Sequence, residues 1–180
     1  MLNQIVGKFL TCQNAKCKCK VKEFYIHSTD KRILLFDDDT SHNDQPTLIV
    51  EEGMDYQIEL INPNLSKLTL VKLDKCLFND VTFKKCDCLI LDSKNFFYLE
   101  IKNTKIKVRK NARKEAVKQL ESTIIKLQSQ LDFEGYNQYA VIGFKTSKPS
   151  IIRASGNSLR VKFYEIYKVL LQEGSSIEFN

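Results

Sequence analysis

The sequence predicts an α/β fold: a mixed β-sheet with a long amphipathic helix on one face, preceded by a β-rich N-terminal extension. Three observations predict it. Lys84 to Lys102 (KKCDCLILDSKNFFYLEIK) holds two strand-like runs around a polar turn. Lys105 to Leu131 carries apolar residues at three- and four-residue spacings. Between Val21 and Lys67, short apolar or alternating runs follow one another with no helical period.

The chain of 180 residues suits one domain with a small appendage, and a hydrophobic share of 43% is ample for a core. We place the division at residue 66: an extension over 1–66 packed on a core over 67–180. Lys and Arg outnumber Asp and Glu by 28 to 22, which gives a net charge of +6 and a pI near 8.9. That balance favours a polyanionic partner. No apolar run approaches the ~20 residues that span a bilayer. Met1 to Cys12 has neither a basic leader nor a long apolar stretch, so a cytoplasmic location is expected, without a membrane partner.

The region from Lys84 to Lys102 reads as a β-hairpin. Cys86 to Leu91 is the first strand, Asp92-Ser93-Lys94-Asn95 the turn, and Phe96 to Lys102 the second strand. Alternation sends Phe97, Leu99 and Ile101 to one face and Tyr98, Glu100 and Lys102 to the other. On the first strand, Asp87 shares a face with Leu89 and Leu91, opposite Cys86, Cys88 and Ile90. Asp87 stands inside an apolar run, where an unpaired carboxylate is costly. The short connection lets it approach Glu100 and Lys102. Two carboxylates on rigid strands suit a hard divalent cation such as Mg²⁺ or Mn²⁺. A lysine two residues after the glutamate is placed to orient or deprotonate an attacking water, or to steady charge on phosphorus. This is the inventory of metal-assisted phosphodiester hydrolysis.

Asp87 followed by Glu100-Ile101-Lys102 resembles the signature of the PD-(D/E)XK nuclease superfamily, over roughly Leu68 to Phe144. The order of elements adds to the likeness: hairpin, basic amphipathic helix, apolar strand. The resemblance implies a restriction-endonuclease-like mixed sheet flanked by helices. It also implies a Mg²⁺-dependent nuclease acting on DNA, in the manner of small prokaryotic restriction or defence enzymes. Asp87 and Glu100 would hold the metal with the Ile101 carbonyl, Lys102 would serve the water, and Gln119 on the helix would support the site. Asp74, on the strand-like run Lys67 to Phe78, is a further candidate ligand or an edge-strand charge. The family pattern also implies an acid-bearing helix before the first core strand. Residues 1–10, or a turn over Val50 to Tyr56 with Glu51 or Glu52, are its candidates if it exists here.

In the extension, Val21 to Ile26, Ile33 to Phe36, Thr47 to Val50 and Tyr56 to Ile61 read as strands. Asp37 to Pro46 reads as a solvated loop, with Asp37, Asp38, Asp39 and His42 as an alternative metal cluster. Six cysteines in a reducing compartment are not expected to pair. Cys12, Cys17 and Cys19, with His27, could form a zinc site, although the spacing matches no familiar knuckle. Cys86 and Cys88 read as small core residues.

In the helix, Ala112, Ala116, Leu120, Thr123, Ile124, Leu127 and Leu131 form one stripe. Gly135 is expected just past its end. Its start is basic: Lys105, Lys107, Arg109, Lys110, Arg113, Lys114 and Lys118 are candidate phosphate contacts, with only Glu115 opposing. Cations there oppose the helix dipole, a conflict expected where function sets composition. Tyr139 to Phe144 reads as a buried strand. The polar loop after it carries Lys145, Lys148, Arg153 and, at its end, Arg160. Leu159 to Leu171 reads as a helix with Val161, Tyr164, Val169 and Leu170 inside, and the tail as an edge strand or a frayed end.

Two rival readings stand beside the nuclease. One is a catalytically inactive nuclease-like module that binds nucleic acid or a partner protein. The other is a structural protein with a zinc-stabilised extension. Pairing with a second copy of the chain is compatible with either.

Overall fold

The computed structural model describes residues 1–9, 25–37, 47–73, 84–103, 109–145 and 157–179. Its elements are α1 (Leu2–Phe9), β1 (Tyr25–Ser28), β2 (Arg32–Phe36), β3 (Leu48–Val50), β4 (Ile58–Ile61), β5 (Leu68–Lys72) and β6 (Cys88–Leu91). They continue with β7 (Asn95–Lys102), α2 (Arg109–Gln128), β8 (Asn137–Phe144), α3 (Asn157–Tyr167), β9 (Leu170–Gly174) and β10 (Ser176–Glu178).

Among the described residues, ten strands form two sheets, a mixed α/β arrangement. The six-stranded sheet has the order β1-β5-β6-β7-β8-β9. It is antiparallel from β1 to β7 and parallel from β7 to β9. The four-stranded sheet has the order β10-β4-β2-β3, with β10 parallel to β4 and the rest antiparallel.

β7 (NFFYLEIK) explains the layering. As a central strand it is buried on both faces, so it reads as nearly continuous apolar sequence. Phe96 and Tyr98 enter a core completed by Ile5 of α1, Ala116, Leu120, Ile124 and Leu127 of α2, and Phe163 of α3. Phe97, Leu99 and Ile101 face Ile33, Leu35, Ile58 and Leu60 of the second sheet. Phe97 stacks on Tyr139 at 4.7 Å and meets Phe179 edge-on at 5.1 Å. The described helices therefore line one face of the six-stranded sheet, and the second sheet covers the other.

The hairpin turns tightly. Asp92 Oδ1 accepts the amide protons of Lys94 and Asn95 at 2.7 and 2.6 Å, an Asx turn that fixes the register. The division at residue 66 is crossed in both directions. β1 of the extension joins the core sheet through β5, and β10 of the C-terminal tail joins the extension sheet through β4. The tail does form an edge strand.

Several expectations are corrected. The stripe on α2 buries Ala116, Leu120, Thr123, Ile124 and Leu127, but the regular helix ends at Gln128. Gly135 (φ 79°) belongs to the turn before β8 and does not cap α2. α3 ends at Tyr167, because Lys168 adopts a left-handed φ of 58° and the chain turns into β9. Val161 and Tyr164 are exposed and Leu170 is half-buried; Val169 is buried as expected, and Phe163 and Leu171 fill the core with it. The helical stripe of α3 was misread because its last turns are a strand.

Gly143 lets the two sheets meet. A methyl group there would lie within 2.8 Å of Ile58 Cγ1 and closer still to Cδ1. Gly143→Ala is expected to destabilise the fold by about 1–3 kcal/mol through overpacking. Ile58→Val in the same chain should recover part of the loss, as read from urea unfolding midpoints.

Candidate active site

The ladder between β6 and β7 starts at Cys88, which pairs with Leu99, so the same register sets Asp87 opposite Glu100. Asp87 is held from both neighbouring strands. Its carbonyl accepts the Leu73 amide at 3.2 Å, and its Oδ2 accepts the Ile101 amide at 2.5 Å. Glu100 is fully buried and follows Phe96 and Tyr98 on the helix side of β7. Its Oε1 lies 2.5 Å from Lys102 Nζ, two residues on along the same face. The three residues singled out in the sequence thus meet at the end of β6 and β7.

The electrostatics are strained in one direction. Burial pushes the Asp87 carboxyl well above the usual carboxylate range, and the charges of Glu100 and Asp37 push it further. The Ile101 amide and the Lys102 ammonium oppose that rise.

Asp37 is a residue that sequence reasoning put in a solvated loop. It continues the inward alternation of Ile33 and Leu35 into the space between the sheets, and it is buried. The Gln57 side chain holds its backbone on both sides: Oε1 accepts the Asp37 amide at 2.8 Å, and Nε2 donates to the Asp37 carbonyl at 2.6 Å. The period-two pattern of β2 was the signal that could have found it. Asp38, Asp39 and His42 lie outside the described residues.

Cys86 departs from the expected face. It sits in the helix-side core with Leu89 and Leu91, while Cys88 and Ile90 face the second sheet. The reason is local. The Cys86 amide donates to Thr123 Oγ1 on α2 at 2.8 Å, so the chain leans toward the helix before the regular ladder begins. Burial raises both thiols well above their ordinary range, which makes them packing residues and not nucleophiles.

α2 is pinned over this edge at several points. Gln119 Nε2 donates to the Lys85 carbonyl at 3.1 Å, two residues before Asp87. Arg113 grips Glu173 of β9 with Nε and Nη2 at 2.8 and 2.6 Å. Arg109 Nη2 donates to the Lys145 carbonyl at 2.8 Å. Lys145 in turn reaches Asp55 of the β3–β4 connection at 2.6 Å. Of the basic segment, Lys110, Lys114 and Lys118 remain exposed, Lys118 beside Glu115.

Asp74, Lys105, Lys107, Lys148, Arg153, Cys12, Cys17 and Cys19 lie outside the described residues. His27 is exposed on β1 and bonds Thr69 Oγ1 through Nδ1 at 2.9 Å.

No family model, curated protein or solved structure matches the chain. Among the described residues, no three His, Cys, Asp or Glu side chains converge as metal ligands, and no helix is long and apolar enough to cross a membrane. What the ladder brings together is one buried carboxylate pair beside one ammonium. Two repelling carboxylates with hard oxygen donors fit a divalent cation, since a double positive charge would offset what Lys102 offsets only in part.

A raised carboxyl favours the folded state only while protonated. Its contribution is complete below the ordinary aspartate pKa and is lost as pH rises toward the raised value. Asp87→Asn keeps an oxygen for the Ile101 amide and removes the charge. In EDTA it should be more stable than the parent at neutral pH, with the difference shrinking toward acid. Denaturant midpoints measured across pH test this, and a pH-independent difference would contradict it.

Proposed function

We propose that the chain is a divalent-metal-dependent phosphodiesterase that hydrolyses DNA, built on a restriction-endonuclease-like core of the PD-(D/E)XK kind. The observation that carries this reading is the meeting of Asp87, Glu100 and Lys102 at one sheet edge, with Asp87 opposite Glu100 and Lys102 on the Glu100 carboxylate. The succession of antiparallel β5, β6 and β7, then α2, then parallel β8 supports it. The four-stranded sheet on the second face and an α1 without acidic residues are this chain's own departures from that pattern.

In this reading Asp87 and Glu100 hold the ion, with the Ile101 carbonyl beside them. Bound Mg²⁺ or Mn²⁺ supplies Lewis acidity toward a phosphoryl oxygen and acidifies water. Lys102 exchanges its carboxylate partner for the attacking water or a phosphate oxygen. Gln119 acts at one remove: by holding the Lys85 carbonyl, it sets where Asp87 leaves the helix layer and joins the ladder. Lys110, Lys114 and Lys118 meet flanking phosphates.

A second reading, a DNA-binding module without catalysis, is favoured by the ammonium already seated on Glu100 and by the lack of a third converging acid among the described residues. Calorimetric titration with Mn²⁺ separates the two, since only the first requires an ion.

Incubation with plasmid and linear DNA in Mg²⁺, Mn²⁺ or EDTA tests the proposal directly. Glu100→Gln should abolish metal-dependent cleavage and weaken Mn²⁺ binding. Lys102→Ala should lose about 10²–10⁴ in rate, as for a displaced general base, while keeping or improving Mn²⁺ affinity. Cleavage by Glu100→Gln at the parent rate would remove this hairpin from the chemistry.

For the basic face, replacing Lys110, Lys114 and Lys118 together with Ala should reduce the salt slope of DNA binding by roughly one unit per lost phosphate contact. Arg113→Ala should instead lower stability with little change in slope, because its fork is engaged by Glu173. Fluorescence anisotropy over a salt series distinguishes these outcomes.

A further inference from the structure

Arg109 differs from the other cations at the start of α2. Its guanidinium carbon lies 5.1 Å from the centre of the Phe144 ring. Phe144 is the parallel-register partner of Lys102 and belongs to the helix-side core. The register sets the backbone position that carries Phe144 about one strand spacing, ~4.8 Å, from the one that carries Lys102, and the guanidinium stacks on the Phe144 ring. Both lie on the face into which Glu100 projects.

The guanidinium is fixed on two sides. The aromatic ring sets its plane. The Lys145 carbonyl engages Nη2 at 2.8 Å. A guanidinium carries five N–H donors. Here Nε is buried without a hydrogen-bond partner among the described residues, while the side chain as a whole is only half-buried. Arg113 is the contrast, with both arms of its fork on a carboxylate. Lys110 and Lys114 are the other contrast, exposed point charges on the helix surface. A planar cation held rigid, with one donor uncommitted among the described residues and on the same sheet face as Lys102, suits an anionic oxygen of defined position.

We infer that Arg109 contacts the scissile phosphodiester itself, donating to a nonbridging oxygen from the side opposite the carboxylate pair. Lys110, Lys114 and Lys118 meet only neighbouring phosphates. This rests on the hairpin being the cleavage site, and it assigns Arg109 to the transition state over and above DNA affinity.

The test uses the full chain with Mn²⁺ and linear DNA, in single turnover at saturating protein, with DNA affinity measured separately in EDTA. Arg109→Lys and Arg109→Gln should each lower the cleavage rate by about 10²-fold, as for loss of one oriented donor, with affinity changed by no more than about threefold. Lys126→Ala, at an exposed lysine in the last turn of α2, should leave both the saturated rate and the affinity at the parent values. Added guanidinium ion at non-denaturing concentration should restore part of the rate to Arg109→Ala, which a merely structural brace would not permit.

A parent-like rate for Arg109→Gln overturns the inference. So does loss of rate through unfolding at the assay temperature with no rescue by guanidinium. If the parent cuts, Glu100→Gln does not, and Arg109→Gln does, this inference fails while the nuclease reading stands. A parent that cuts no DNA in any metal ends both.

Discussion

A carboxylate at the centre of a β-sheet is the constraint on which the rest of the structure depends. Glu100 is fully buried within β7, with strands hydrogen-bonded on both sides. An ionised carboxylate in such a place costs several kcal/mol in lost hydration. Lys102 returns part of that through an ion pair at 2.5 Å, and low polarity strengthens the pair. Asp87 works in the opposite direction, a second acid set across from the first. A sequence selected for stability alone would replace either residue with an apolar one, as it has at every neighbouring position from Phe96 to Leu99. Local conflict of this kind is expected where the chemistry of a site sets the residue.

The layers around β7 are arranged so that this edge is rigid. The second sheet approaches closely enough that Gly143 has no room for a side chain beside Ile58. α2 is fastened to the lead-in to β6 by Gln119 and Thr123 and to β9 by Arg113. Lys145 joins the end of β8 to the β3–β4 connection through Asp55. Each contact is modest on its own, and the exposed ion pairs contribute about 0–1 kcal/mol. Together they fix where Asp87 and Lys102 stand at the sheet's end and where Arg109 at the start of α2 lies over it.

Much of this architecture was legible in the sequence because it depends on local period. β7 showed its two faces through strict alternation, and the α2 stripe showed its buried side through three- and four-residue spacing. The Asp87 position stood out as one acid in an apolar run. Features set by non-local pairing were not legible. Cys86 changes face because a threonine on a helix 37 residues away takes its amide. β9 looked like the end of α3, since Val169 and Leu170 were read with Val161 and Tyr164 as one helical stripe, although β8 claims the segment as a parallel partner. β10 pairs with a strand from the first third of the chain, which no local signal announces. The engagement of Arg113 by Glu173, 60 residues apart, likewise removes from a basic face a charge that the sequence counted as available.

The same distinction bears on the acids. Period two carries Asp37 inward after Ile33 and Leu35, yet its run of neighbouring aspartates reads as a solvated turn. Composition and period disagreed there, and period was right. The reason is that Gln57 supplies both backbone partners of Asp37 through its side-chain amide, just before β4 begins. That arrangement extends the ladder by one residue and keeps the acid between the sheets. From there Asp37 adds a like charge that raises the Asp87 carboxyl, without converging on Asp87 and Glu100 as a third ligand. The repulsion between Asp87 and Glu100 is what an ion, or a proton, would relieve.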